Sequence, residues 1–175
     1  DSAKVFLFVG RWSRVKGVDI LIEVFSEIIK VHNNINLVLI TDIPEKVKQK
    51  IITKNNNFIF IKPQNDISYF YKISDCIILP SRKDSFPYVM LEAGIYKKVF
   101  IGSQVDGIAE FIKNDSEGFL FESYKKENLF EAIQKYLRLS QDEETNIKES
   151  LFRKVISATD KGRYIDKLIS IYKNL

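Results

Sequence analysis

The chain has 175 residues, of which 45% are hydrophobic and 29% are charged, and its formal net charge is +4. This length and composition predict one globular domain with a full apolar core. The single cysteine, Cys76, excludes an internal disulfide and favours a reducing compartment, and no apolar run reaches the roughly 20 residues of a membrane span or forms a signal peptide.

The positive charge comes from lysines spread along the chain in ones and twos rather than from a dense basic block. This distribution favours solvated helix faces. An anionic substrate or an anionic membrane surface is the alternative explanation.

Short apolar runs alternate with helical patterns along the chain. The predicted strands are residues 4–9, 37–40, 58–61, 76–79 and 99–101. The predicted helices are residues 18–31, 45–53 and 66–73, one beginning near Phe86, one opening at Asp106, and residues 128–139, 142–156 and 164–175. Repeated strand-helix units predict an α/β fold with a parallel sheet and right-handed crossovers.

A basic loop follows the first strand, from Gly10 to Gly17, and carries Arg11, Arg14 and Lys16. These cations would lie at the carboxyl edge of the sheet. Arginine can bind a phosphate through two parallel hydrogen bonds and lysine acts as a point charge, so the loop suits a diphosphate. An exposed basic loop without a ligand is the alternative on charge alone.

A polar turn follows the fourth strand and leads into an apolar helical segment. We predict Ser85 as the N-cap, with Pro87 in the first turn, so that the free N–H groups of the helix face the ligand crevice. Asp84 and Glu92 lie on either side of this helix start. Carboxylates accept hydrogen bonds from hydroxyls and a helix N-terminus attracts anions, so the segment suits a ligand that carries both hydroxyls and phosphates.

Two motifs resemble those of the retaining family 4 glycosyltransferases, also called glycosyl transferases group 1. The first is Gly10-Arg11 followed by Lys16-Gly17. The second resembles the family's E-x7-E region, with Asp at the first acidic position, and consists of Pro80-Ser81, Asp84, Phe86-Pro87 and Leu91-Glu92-Ala93. The family often has a Gly-Gly pair before the acid at the position of Glu110, of which only Gly107 remains here, and a small strand similar to residues 117–121.

The resemblance implies a role for each matching residue. Arg11 and Lys16 would hold the diphosphate of a nucleotide sugar and stabilise the leaving group, and Asp84 would orient the donor sugar, so these three form the predicted catalytic set. Glu92 would bind ribose hydroxyls. The other predicted donor-binding residues are Ser85, Phe86, Pro87, Tyr88, Val89, Pro63 and Gln64, of which the last two would face the nucleobase.

The resemblance further implies the C-terminal half of a GT-B fold, with a Rossmann-like sheet of about six strands. Residues 1–175 would form a single donor-binding domain, the acceptor domain would be absent from this chain, and the isolated domain would be inactive. The implied reaction is hexosyl transfer from a nucleotide-diphosphate sugar to a saccharide or lipid-linked acceptor in polysaccharide biosynthesis. No cofactor, metal or nucleic acid is implied, and the expected location is cytoplasmic, with peripheral association at the inner face of the membrane.

Two alternatives remain open at this stage. One is a non-catalytic nucleotide-sugar-binding or interaction domain. The Asp at position 84 and the smaller number of glycines at the motif positions favour this alternative. The other is a GT-B fold epimerase or a phosphorylase, and a phosphorylase would need a lysine-bound pyridoxal cofactor. The sequence has no dinucleotide fingerprint after the first strand, no Walker loop and no Cys/His metal spacing.

Overall fold

The computed structural model describes residues 3–162 and contains six strands and seven helices in that range. The strands are β1 (Lys4–Val9), β2 (Ile35–Ile40), β3 (Phe58–Ile61), β4 (Cys76–Leu79), β5 (Val99–Ser103) and β6 (Phe119–Phe121). The helices are α1 (Val18–Val31), α2 (Glu45–Ile52), α3 (Ser68–Ile73), α4 (Tyr88–Ile95), α5 (Asp106–Phe111), α6 (Lys126–Leu137) and α7 (Gln141–Ala158).

The strands form one sheet in the order β3-β2-β1-β4-β5-β6, and every neighbouring pair is parallel. This is the doubly wound Rossmann-like order, in which chain direction across the sheet reverses between β1 and β4. Phe6 pairs with Cys76 and Leu7 with Ile77 at that switch point. Loops that leave β1 and β4 therefore start side by side at the carboxyl edge.

The core lies on both faces of the central strands, which is why these strands appear in the sequence as continuous apolar runs. All four residues of β4 are fully buried, and burial raises the pKa of the Cys76 thiol. On one face, the ring of Phe6 meets Phe25 of α1 and Tyr136 of α6 edge-on, with centroids 5.0 and 5.4 Å apart. The sheet thus forms a rigid support for the loops at its edge.

The predicted α/β fold with about six parallel strands is confirmed. Strand β2 begins two residues earlier than predicted, because Ile35 is also buried against the sheet. The predicted closing helix at 164–175 lies outside the described residues. Among the helices of residues 3–162, none combines the length and the apolar character that spanning a membrane requires.

Candidate functional site

The loop after β1 and the loop after β4 meet directly, backbone against backbone. Gly17 ends the first loop with φ of +70°, and a Cβ at this position would lie 1.8 Å from the carbonyl oxygen of Pro80. The N–H of Arg82 donates to the carbonyl of Val15 at 2.7 Å. A glycine is therefore required at position 17, both for its backbone angle and for the close approach of the second loop.

Lys16 and Asp84, which belong to these two loops, form an ion pair at 2.6 Å. The hydroxyl of Ser81 donates to the same carboxylate oxygen of Asp84 at 3.0 Å. The side chains of Lys16 and Asp84 are only 24% and 12% exposed, so the pair is shielded from solvent more than a surface salt bridge. The structure brings these two predicted site residues into direct contact.

Arg11 is exposed and lines a cleft of about 290 Å³ at the ends of the first three strands. Pro63 and Gln64, in the loop after β3, line the same cleft. The rest of the wall is largely apolar and is formed by Val9, Gly10, Ile40, Asp42 and Ile67. The structure thus places Arg11 together with the two residues predicted to face the nucleobase.

Glu92 lies in the second turn of α4 and accepts a hydrogen bond from the hydroxyl of Tyr71 at 2.5 Å. Tyr71 is 1% exposed and stacks on Tyr96 with centroids 5.0 Å apart. Burial, followed by the hydrogen bond to Glu92, raises the pKa of the Tyr71 phenol. Within residues 3–162 the carboxylate of Glu92 forms no ion pair, and the hydroxyl of Tyr71 orients it.

The predicted helix start near Phe86 is wrong, and Ser85 is not the N-cap. Helix α4 begins at Tyr88, and its N-cap is Pro87, which has extended backbone angles of −74° and 129°. The proline ring disfavours helical angles at the preceding residue, so the helix cannot include Phe86. In the described chain, the N–H groups of Tyr88 and Val89 have no acceptor and point from the helix start as free donors.

The remaining residues of this turn hold it in place. Phe86 is 48% exposed and packs edge-on against Phe111 of α5 at 5.4 Å. The carbonyl oxygen of Ser85 lies so close to Gly107 that a Cβ there would be 1.8 Å away. The start of α5 therefore packs against this turn and supports it.

Two residues that sequence reasoning did not assign also fix the loop. The guanidinium of Arg82 binds both carboxylate oxygens of Asp19 at 2.5 and 2.9 Å and lies over the ring of Tyr124. The carboxylate of Asp106 accepts the N–H of Asp84 at 3.1 Å. Both partners are distant in the sequence, so spacing within one segment gave no signal for either contact.

The model of the family described as glycosyl transferases group 1 matches residues 1–151. A curated relative from Bacillus anthracis, N-acetyl-alpha-D-glucosaminyl L-malate synthase, is 29% identical over 126 residues, which cover 70% of this chain and 33% of the relative. The chain thus spans about a third of the length of that relative.

Solved structures agree in fold. Anabaena HepE, crystallised with UDP and glucose, superposes with a TM-score of 0.83 at 19% identity, over 99% of this chain and 49% of HepE. The C-terminal domain of the glycosyl transferase group 1 protein LpcC from Francisella tularensis superposes with a TM-score of 0.76 at 19% identity, over 90% of this chain and 87% of that domain. The fold is the Rossmann-like half of a GT-B glycosyltransferase, and the chain belongs to the glycosyl transferases group 1 family.

Proposed function

We propose that this chain binds the nucleotide-diphosphate sugar of a retaining hexosyltransferase. The observation that carries the proposal is the contact between Lys16 and Asp84 at the switch point of the sheet, where open α/β folds bind their ligands. The ligands of HepE, UDP and glucose, support the same class of donor for this family member.

In the proposed complex, Arg11 and Lys16 bind the diphosphate. Lys16 turns from Asp84 toward the phosphates, because a diphosphate carries more negative charge than one carboxylate. The two cations then offset the charge that develops on the leaving group as the glycosidic bond breaks, which is an electrostatic form of catalysis. The free N–H groups of Tyr88 and Val89 add donors for the same anion.

Asp84 stays fixed by Ser81 when Lys16 turns away, and it orients the donor sugar together with the backbone of Ser85, Phe86 and Pro87. The nucleobase fills the cleft beside Pro63 and Gln64, where apolar walls suit a flat ring. The leaving phosphate takes the proton of the acceptor. Transfer without a metal remains a prediction from the family resemblance.

Glu92 binds the ribose hydroxyls through the oxygen that Tyr71 does not occupy. The buried Tyr71 hydroxyl holds the carboxylate in one orientation, so Tyr71 acts as a positioning residue. This arrangement explains how a charged residue is kept inside an apolar helix without a cationic partner in the described chain.

We further propose that residues 1–175 form one donor-binding domain that is inactive alone. A separate acceptor-binding domain would present the saccharide or lipid-linked acceptor across the carboxyl edge. The cytoplasmic location, peripheral contact with the inner face of the membrane and a role in polysaccharide biosynthesis are parts of the same proposal.

Nucleoside diphosphates should stabilise the 175-residue chain against heat. At a ligand concentration about 100 times the dissociation constant, linkage gives about 2.7 kcal/mol of stabilisation. Thermal denaturation with UDP, GDP and ADP, each beside its nucleoside as control, measures this effect. The proposal fails if none of the three diphosphates raises the melting temperature at millimolar concentration.

Glu92→Gln should weaken nucleoside diphosphate binding by about tenfold, since it removes the charged acceptor for the ribose, about 1.4 kcal/mol. Its stability should change little, because the amide oxygen of glutamine can still accept from Tyr71. The matched variant Tyr71→Phe should do the reverse and lower stability by about 1 kcal/mol with a smaller effect on affinity. Titration calorimetry and urea denaturation of both variants separate the two effects. A Glu92→Gln variant that loses stability but keeps its affinity would mean that Glu92 is structural.

A further inference from the structure

Asp106 stands beside the proposed sugar position with an unusual backbone. It opens α5 with φ of +38°, a region that side chains other than glycine rarely adopt. Its side chain is exposed at the carboxyl edge, and its Oδ2 accepts the N–H of Asp84 at 3.1 Å. The backbone favours glycine here, yet the position carries a carboxylate that faces the site.

The neighbouring contacts hold this carboxylate where it is. Gly107 follows directly and is pressed against the carbonyl of Ser85, at a distance that leaves no room for a Cβ. The start of α5 therefore cannot move away from the turn that contains Asp84 without breaking this packing. Asp106 is fixed relative to Asp84 by both its hydrogen bond and its chain neighbour.

The charge balance at this end of the site is negative. Asp84 has one cationic partner, Lys16, at 2.6 Å, and within residues 3–162 Asp106 has no ion pair. When Lys16 turns to a diphosphate, both carboxylates remain next to the sugar without a paired cation. Low solvent exposure at Asp84 strengthens the resulting field compared with open water.

We infer that Asp106 is a specificity-determining residue, which makes the site accept donors with a neutral sugar and discriminate against donors whose sugar carries a carboxylate, such as uronic acids. The inference rests on the proposed function, because it places the sugar next to Asp84. A sugar carboxylate there would be repelled by Asp84 and Asp106 together, and like charges brought together at an interface are a strong source of discrimination.

The test compares binding of UDP, UDP-glucose and UDP-glucuronate to the 175-residue chain by titration calorimetry. We expect UDP-glucuronate to bind about tenfold more weakly than UDP-glucose. Asp106→Asn should reduce this ratio to about threefold, since asparagine removes the charge but can still accept the N–H of Asp84 and tolerates positive φ. If GDP binds instead of UDP, GDP-mannose and GDP-mannuronate replace the two uridine donors.

Asp115→Asn is the matched control. Asp115 is also an exposed aspartate with positive φ, 63°, but it precedes β6 at the opposite edge of the sheet, where it pairs with Lys135 at 3.5 Å. Its loss of charge should leave the ratio between the two donors unchanged. A parallel change in both variants would show that net charge, rather than the position of Asp106, determines the ratio.

The outcomes separate this inference from the proposed function. If UDP or GDP binds but the neutral and acidic donors bind equally, the donor site stands and the role of Asp106 is overturned. It is also overturned if the wild-type chain discriminates and Asp106→Asn leaves the ratio as it was. If no nucleoside diphosphate binds, the proposed function fails and the inference falls with it.

Discussion

Replacing both Arg11 and Lys16 with alanine should weaken the binding of a nucleoside diphosphate by more than about a hundredfold and leave nucleoside binding nearly unchanged. Each charge-assisted hydrogen bond contributes about 1.5–3 kcal/mol, so two of them account for at least about 3 kcal/mol. Calorimetric titrations with UDP and uridine, or the corresponding guanosine pair, measure the difference.

The control for this double variant removes the same number and types of charge. Arg14 lies in the same loop and Lys50 in α2, and both are exposed. Arg14→Ala combined with Lys50→Ala should change diphosphate affinity by no more than about threefold, the effect of weaker long-range attraction. The assignment of Arg11 and Lys16 to the diphosphate is wrong if their replacement weakens the nucleoside and the diphosphate equally, or if the control double variant loses as much affinity.

Gly17→Ala should lower the free energy of unfolding by about 3 kcal/mol or more. Holding alanine at φ of +70° costs about 1–2 kcal/mol by itself. The added Cβ would also lie 1.8 Å from the carbonyl oxygen of Pro80, so the two site loops must separate. Urea denaturation measures the loss of stability.

Gly162→Ala provides the comparison, because among residues 3–162 the atom nearest to a Cβ at Gly162 would be a side-chain oxygen of Asp160 at 3.3 Å. This variant should change stability by less than about 0.5 kcal/mol. Nucleoside diphosphate binding should also fall in Gly17→Ala, since separation of the loops moves Lys16 out of the proposed diphosphate site. Full stability of Gly17→Ala would show that the loops can adjust to each other without strain.

The fold could be predicted because its signals are local. The continuous apolar run of β4 and the helical spacing of Ile20, Leu21, Val24 and Phe25 in α1 each identify an element without information from elsewhere in the chain. The start of α4 was predicted too early, because serine is common at the N-cap and proline in the first turn of a helix, and Ser85 and Pro87 match that pattern. The extended backbone of Pro87 instead makes the proline the N-cap.

The sequence could predict which loops lie close together in the candidate site, but it could not predict all of the contacts between their residues. Because the strands are parallel, the loops after β1 and β4 lie at one edge of the sheet. Lys16 and Asp84 could therefore be predicted to lie near each other, even though 68 positions separate them. Two hydrogen bonds could not be predicted: the one from the Tyr71 hydroxyl to Glu92, and the one from the N–H of Asp84 to the carboxylate of Asp106. Both depend on the distance between separate helices and loops. A positive φ at Asp106 has no signature in a single sequence.

The position of the switch point also determines when the site can form as the chain folds. Strands β1 and β4 are neighbours in the sheet, but two further strands and three helices lie between them in the chain. Pairing over so long a separation requires closure of a large loop, and such non-local contacts slow folding. The segment from β1 to β3 can collapse by itself and form the cleft beside Arg11, Pro63 and Gln64, but it contains neither Asp84 nor Glu92. Full affinity for a fluorescent nucleotide sugar present during refolding would therefore report the joining of the two halves of the sheet.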